Sequence, residues 1–405
     1  GGDSVVQPLE TLFVFGTNRN ALNEVINTLK IEKEIEGTVE LIVNENIQNY
    51  TLLIPVYKES RKLYLERDPQ KFTISGKQLN TLGEYFTTTD DRILVTSHNI
   101  SPELLQHIKK SFETQDKYYK LSAIEGMPFK IIISKIISHF NLNLQDLEKF
   151  KQVEDEIIHF KKIRVFFENL EEQKELEMKI RKVINYPEKR KEEKKLKDIY
   201  GKVSPEEYSR LHEEISKKYS KEESYKDLRI KYVAEHYFTP LILSTKEKID
   251  YIKHIIKTKS EVEFINKLET FLEDNGDKLG VDWWVFSKID EHLDDVYIPY
   301  YDPESNSVRK FKPDFVFWLK KGNDYFIVFV DPKGIKHTDF AYKVDGFVRI
   351  FGSVDSPKIF EFENFKIRAS LCLFTKDKNL LAEDYNRYWF DNPKSIFEVI
   401  KLNLH

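Results

Sequence analysis

A chain of 405 residues, 40% apolar and 13% aromatic, is long enough for two or three domains with sizeable cores. One third of the residues are charged, which calls for a large solvated helical component, yet the formal net charge is only −4. No global basic field therefore advertises nucleic acid, and any basic surface must be local. The single cysteine, Cys372, excludes a disulfide framework and a cysteine-based zinc site.

From the N-terminus, GGDSVVQPLETLFVFG lacks the basic and apolar regions of a signal peptide. No apolar run anywhere approaches the roughly 20 residues of a membrane span. The expectation is a soluble, cytoplasmic protein. TLFVFG reads as a short strand closed by glycine, and ALNEVINTLKIEKEI follows with Val25, Ile26 and Leu29 on one helical face. TVELIV and TLLIPVY read as strands separated by Asn-rich turns, so residues 1–143 form a mixed α+β region.

Between 144 and 238 the texture changes. Apolar residues recur at helical spacing in a highly charged background, which predicts long helices turning at Tyr186-Pro187 and at Gly201. Ser204-Pro205-Glu206-Glu207 marks a helix start, with Ser at the N-cap, Pro in the first turn and Glu at the third position. The run Lys189 to Lys197 reads either as a nucleic-acid contact or as a solvated helix face. Glu192 and Glu193 inside it favour the second.

Residues 239–405 follow another order. A helix over 260–274 precedes strands in WWVFSKI, PDFVFWLK and YFIVFVDP; a helix over 338–351, the strand FKIRASLCLFT and a terminal helix follow. The turn Lys321-Gly322-Asn323-Asp324 joins the second and third strands as a hairpin. The predicted class is α/β, with a mixed sheet flanked by helices at the C-terminus after an α+β region and a charged helical middle. There is no G-x-x-x-x-G-K-[ST] phosphate loop for ATP. Asp290-Glu291-His292 lacks the rest of a helicase box and sits in polar, loop-like sequence.

The chemistry concentrates in KPDFVFWLKKGNDYFIVFVDPKG. Asp314 opens one strand, Asp331 closes the next, and their midpoint falls in the turn between Gly322 and Asn323, so a hairpin would set them face to face. Lys333 lies two residues beyond Asp331, on the same face by the period of two. Carboxylates so close raise each other's pKa unless a cation neutralises them. Hard oxygen ligands suit Mg2+, which acidifies a bound water and stabilises charge on a phosphate. Lys333 would orient or deprotonate that water, or meet the developing charge. The plainer alternative has both acids flanking strands, with Lys333 paired on the surface.

On the helix 260–274, Phe264, Ile265, Leu268, Phe271 and Leu272 form a stripe centred close to Glu261, while Glu263 points nearly opposite. Glu261 is the preferred third ligand and Glu263 the second choice. A carboxylate favoured by the helix dipole is the ordinary alternative for Glu261. His337, Lys343 and Arg349 are candidates for phosphate contact or a solvated face. Trp283 and Trp284 would stack on bases or enter the core.

Pro313-Asp314, the hydrophobic strand pair and Asp331-Pro332-Lys333 resemble the PD-(D/E)xK nuclease superfamily. The wider order resembles the C-terminal half of the restriction (Res) subunit of Type III restriction–modification enzymes, mostly through the stretch from Glu261 to Phe351. The resemblance implies a restriction-endonuclease-like fold over 239–405 and cleavage of DNA with Mg2+, for which Mn2+ substitutes. Asp314, Asp331 and Glu261 would bind metal, and Lys333 would complete the catalytic set. In that family an ATP-driven helicase motor precedes the nuclease and a methyltransferase (modification) subunit supplies recognition. ATP would act only through a motor whose motifs this chain lacks. Residues 1–143 would be the end of, or linker from, such a motor, and 144–238 an insertion or coupling region. A DNA- or partner-binding coupling module with an idle nuclease fold is the alternative, and a standalone Type II-like restriction enzyme a third reading.

Overall fold

The structure is a computed structural model that describes residues 35–40, 49–62, 76–113, 128–157, 162–167, 169–232, 241–244, 246, 255–276, 279–303, 305, 307–332, 340–374 and 385–402. In chain order the elements begin with β1 (Ile35–Glu40), β2 (Leu53–Lys62), α1 (Gly76–Thr88), α2 (Asp91–His98), α3 (Pro102–Glu113), α4 (Phe129–Phe140), β3 (Asn143–Gln152) and β4 (Lys162–Phe167). They continue with α5 (Leu170–Ile184), α6 (Tyr186–Asp198), α7 (Pro205–Lys218), β5 (Glu222–Tyr225), β6 (Leu228–Lys231), β7 (Leu241–Ser244), α8 (Lys259–Asn275) and β8 (Trp283–Lys288). The rest are β9 (Ile298–Asp302), β10 (Ser307–Phe311), β11 (Phe315–Lys321), β12 (Asp324–Asp331), α9 (Phe340–Phe351), β13 (Phe360–Phe362), β14 (Phe365–Phe374), β15 (Trp389–Phe390) and α10 (Lys394–Leu402). The mixed α/β class is as expected, and no helix among the described residues is long and apolar enough to cross a membrane.

Two compact units divide the described residues, and neither is a single stretch of chain. The first draws on Gly1–Thr51, Asp155–Asp294 and Asp314–Phe317; the second on Leu52–Glu154, Asp295–Pro313 and Trp318–His405.

In the first unit the charged middle carries helices α5, α6 and α7, turning where Tyr186-Pro187 and Gly201 predicted. Ser204 caps α7 by accepting the Glu207 N–H at 3.1 Å. The Lys-rich run lies on α6 with its own ion partners: Lys191 meets Glu188 at 2.7 Å and Glu192 meets Lys218 at 2.6 Å. The helical reading of this stretch missed β4, which pairs antiparallel with β1. Val165 and Phe167 are buried and Phe166 is half-buried, the alternation of a strand. Strands β5, β6 and β7 form an antiparallel sheet. Leu228, Ile230 and Ile242 share one core with Leu176, Ile180 and Val183 of α5. Helix α8 packs Phe264 against Phe315 and Phe317, at ring centroid distances of 5.2 and 6.2 Å. Trp284 and Phe286 stack on Phe317 from β8, at 6.1 and 4.9 Å.

The second unit holds most of the mixed sheet. β12 pairs in parallel with β14, β13 pairs antiparallel with β14, and β15 extends β14 in parallel. β11 reaches its neighbour β12 through the two residues Gly322 and Asn323, with Gly322 at φ +58°. Strand β2 pairs with β3. The Leu53 N–H donates to the Tyr325 hydroxyl at 3.1 Å, and its carbonyl accepts the Trp318 indole N–H at 2.8 Å. Residues from the N-terminal third are thus bound into the same unit as the C-terminal sheet. Helix α9 crosses β9 at Gly346, where an added Cβ would lie 2.5 Å from Cβ of Tyr300; only glycine permits so close an approach. Helices α1 to α4 enclose a separate core of Leu79, Leu82, Phe86, Leu105, Ile132 and Ile136.

Candidate functional site

Three side chains of the first unit converge where α8 begins, β8 ends and β11 starts. Glu261 stands in the first turn of α8, three residues after the N-cap Thr258, where the helix dipole favours a carboxylate. Lys288 is the last residue of β8. It shares a face with Trp284 and Phe286 by the period of two, and their stacking carries its side chain inward. Asp314 directly precedes β11 and is locked to the end of β8, its carbonyl accepting the Ile289 N–H at 2.7 Å.

The Lys288 ammonium lies 3.2 Å from Oε1 of Glu261 and 3.4 Å from Oδ1 of Asp314. It also sits over the Phe315 ring, 5.5 Å from its centroid. The three side chains are 8%, 15% and 14% exposed for Glu261, Lys288 and Asp314. Burial pushes the Glu261 carboxyl up; Lys288 pulls it back and Asp314 adds to the rise, for a net upward shift. Burial opposes charge on Lys288 as well, but Asp314 and Glu261 outweigh it and its pKa rises. Oε2 of Glu261 is buried without a hydrogen-bond partner.

Magnitudes argue against stability as the reason for this cluster. At about 3.3 Å and an effective dielectric constant of 20, each ammonium–carboxylate contact is worth roughly 5 kcal/mol. Desolvation takes back several kcal/mol for each of the three ions, and the two carboxylates repel. The sum lies near break-even, with one carboxylate oxygen left unsatisfied.

The site residues expected from the sequence are thus partly brought together. Glu261 and Asp314 meet through Lys288. Glu263 is only half-buried, in keeping with the helix phase that placed Glu261 inward. Asp331 closes β12 in the second unit, 2% exposed and paired in register with Leu373 of β14. Lys333 and His337 lie outside the described residues. Among the described residues no group of three or more His, Cys, Asp or Glu side chains is gathered to hold a metal. What stands in the first unit is a half-site of two carboxylates.

Sequence reasoning missed Lys288. The signal was present: a charged residue closing WWVFSK in phase with two core aromatics. Of the tryptophans, Trp284 is core, and Trp283 stacks on Tyr50 at 4.4 Å with the rings 12° apart. In the second unit Arg349 pairs with Asp146 and donates to the Gln145 carbonyl at 2.6 Å, while Lys343 lies over the Phe311 ring.

Residues 252–365 match the YagJ family model, a span that includes Glu261, Lys288, Asp314, Asp331 and Lys333 but less than half of the chain. No curated protein and no solved structure matches the chain.

Proposed function

We propose that this chain is a Mg2+-dependent endonuclease that hydrolyses DNA phosphodiester bonds, as the nuclease part of an ATP-dependent, Type III-like restriction complex. The observation that carries this reading is the buried convergence of Glu261 and Asp314 with a carboxylate oxygen left unpartnered. Oxygen donors of this kind fit Mg2+, and an orphaned buried anionic atom is what a hard cation would satisfy. Asp314 and Glu261 would hold the ion; Asp331 is named as a ligand by the sequence resemblance alone. When bound, Mg2+ supplies positive charge at the scissile phosphate and acidifies a water.

The chain's own residues would do the rest. Asp314 and Glu261, fixed by the end of β8 and the first turn of α8, set where the phosphate sits. Lys333 would orient the attacking water and meet charge building on the phosphate. The water oxygen bonds to phosphorus, the bond to the 3′ oxygen breaks, and a 5′-phosphate and a 3′-hydroxyl remain. In this reading the protein works in the cytoplasm on DNA, with a helicase motor and a methyltransferase subunit as partners and ATP used by the motor alone.

A second reading draws on Lys288. An internal ammonium already neutralises one of the two carboxylates, as it would in a coupling module whose nuclease fold is idle. Supercoiled plasmid separates the two: the native chain should nick it in Mg2+ or Mn2+, and Lys333→Ala should not. Tight DNA binding with no cleavage in either metal, even with a motor subunit supplied, would leave the coupling module standing and the nuclease refuted.

A further inference from the structure

Lys288 has no part in the nuclease pattern inferred from the sequence, yet it occupies the centre of the half-site. Its ammonium stands between Oε1 of Glu261 and Oδ1 of Asp314 at 3.2 and 3.4 Å, both longer than the 2.5 Å that Lys231 achieves with Glu269 in the same unit. Oε2 of Glu261 remains unpartnered while its twin oxygen is engaged, so the ammonium covers only part of the anionic surface. The long, unbranched lysine stem joins β8 at its last residue, and rotation about its side-chain bonds withdraws the charge without moving the strand.

We propose that Lys288 is a resident counter-cation that holds the Glu261–Asp314 seat in the metal-free protein and must be displaced for a divalent ion to enter, so that it sets the metal affinity of the site. The inference rests on the metal-binding reading above and goes beyond it. It assigns to a residue outside the motif the control of metal occupancy, and it makes that occupancy a competition between two cations for the same oxygens. The ammonium carries a single charge and leaves Oε2 of Glu261 unengaged, whereas a divalent ion would bring two charges to the same oxygens. Metal binding therefore requires free ion concentrations high enough to displace the lysine.

Mn2+ serves as the probe, through its electron paramagnetic resonance signal and by calorimetry on the full chain at neutral pH. Lys288→Met should bind Mn2+ at least about tenfold more tightly than the native chain. In the absence of metal it should melt lower, and added Mn2+ should raise its melting temperature more than that of the native chain. Lys288→Arg, which keeps the charge, should retain weak native-like binding. Lys288→Gln repeats the measurement if the Met variant does not fold. Equal Mn2+ affinity in the native chain, Met and Gln variants, with binding abolished by Asp314→Asn, overturns the competitor role and leaves the metal site intact. Folded native and Lys288 variants that all fail to bind Mn2+ overturn the metal reading itself, and the competition with it.

Discussion

Two buried lysines of the first unit, each facing a glutamate of α8, have opposite environments. Lys231, at the end of β6 with its side chain 6% exposed, meets Glu269 at 2.5 Å and Glu222 at 3.6 Å. Its carboxylates have further cations: Arg229 lies 2.7 Å from Glu222, and Lys221, itself paired with Glu273 at 2.9 Å, reaches Glu269 at 4.0 Å. Charges there alternate and balance. Around Lys288 one ammonium serves two carboxylates at longer distances, and one oxygen is left over. A network built for stability closes on itself. At the Lys288 cluster a buried carboxylate oxygen, Oε2 of Glu261, is left without a hydrogen bond, and that loose end distinguishes it from the Lys231 network.

The contrast can be broken in several places. The largest effect should come from Asp314→Asn, which should reduce metal-dependent plasmid nicking on the order of 100-fold or more with little change in melting temperature. A variant that nicks at the native rate would remove Asp314 from the chemistry. Lys231→Met should do the reverse. Leaving Glu269 and Glu222 without their shared ammonium should destabilise the fold by about 3 kcal/mol in urea unfolding while the nicking rate below the transition is unchanged. Loss of nicking in a fully folded Lys231→Met chain would erase the distinction between the two clusters.

Glu261→Gln sharpens the comparison through pH. The carboxyl is held above its ordinary value of 4.5 in the folded chain, chiefly by burial, so ionising it opposes folding. That opposition is absent below the ordinary value and complete above the raised one. The Gln variant should therefore melt higher than the native chain at neutral pH, by about 2–4 °C, and the difference should vanish as the pH falls toward 4.5. A gap that stays constant across that range would assign the effect to packing. The smallest effect belongs to Lys221→Ala. Its partner Glu273 is 60% exposed, so the loss in urea unfolding should be close to the limit of detection and should disappear in 1 M salt.

Periodicity made much of this readable in advance. The phase of Phe264, Ile265 and Leu268 placed Glu261 inward, and all four are buried. The strands and helices from 259 to 374 largely follow the predicted order because their apolar runs are long and their turns carry glycine or proline. What escaped was short or interrupted. Pro299 and Pro303 break the run that forms the β9–β10 hairpin, and KIRVFF was absorbed into a helical pattern because charged helices adjoin it. Lys288 escaped for another reason: its meaning depends on what lies across from it, and no local pattern in WWVFSK states that Glu261 and Asp314 are its neighbours.

The two hydrogen bonds by which Leu53 donates to Tyr325 and accepts from Trp318 bear on where the chain can be cut. Both aromatic side chains are fully buried, and burial holds the Tyr325 hydroxyl well above its usual range. Excising 239–405 would delete the backbone partner that Leu53 gives to both aromatic side chains and would uncover the rings around it. A fragment beginning after residue 155 is then an aggregation hazard, whereas one beginning a few residues before Leu53 keeps the pair satisfied.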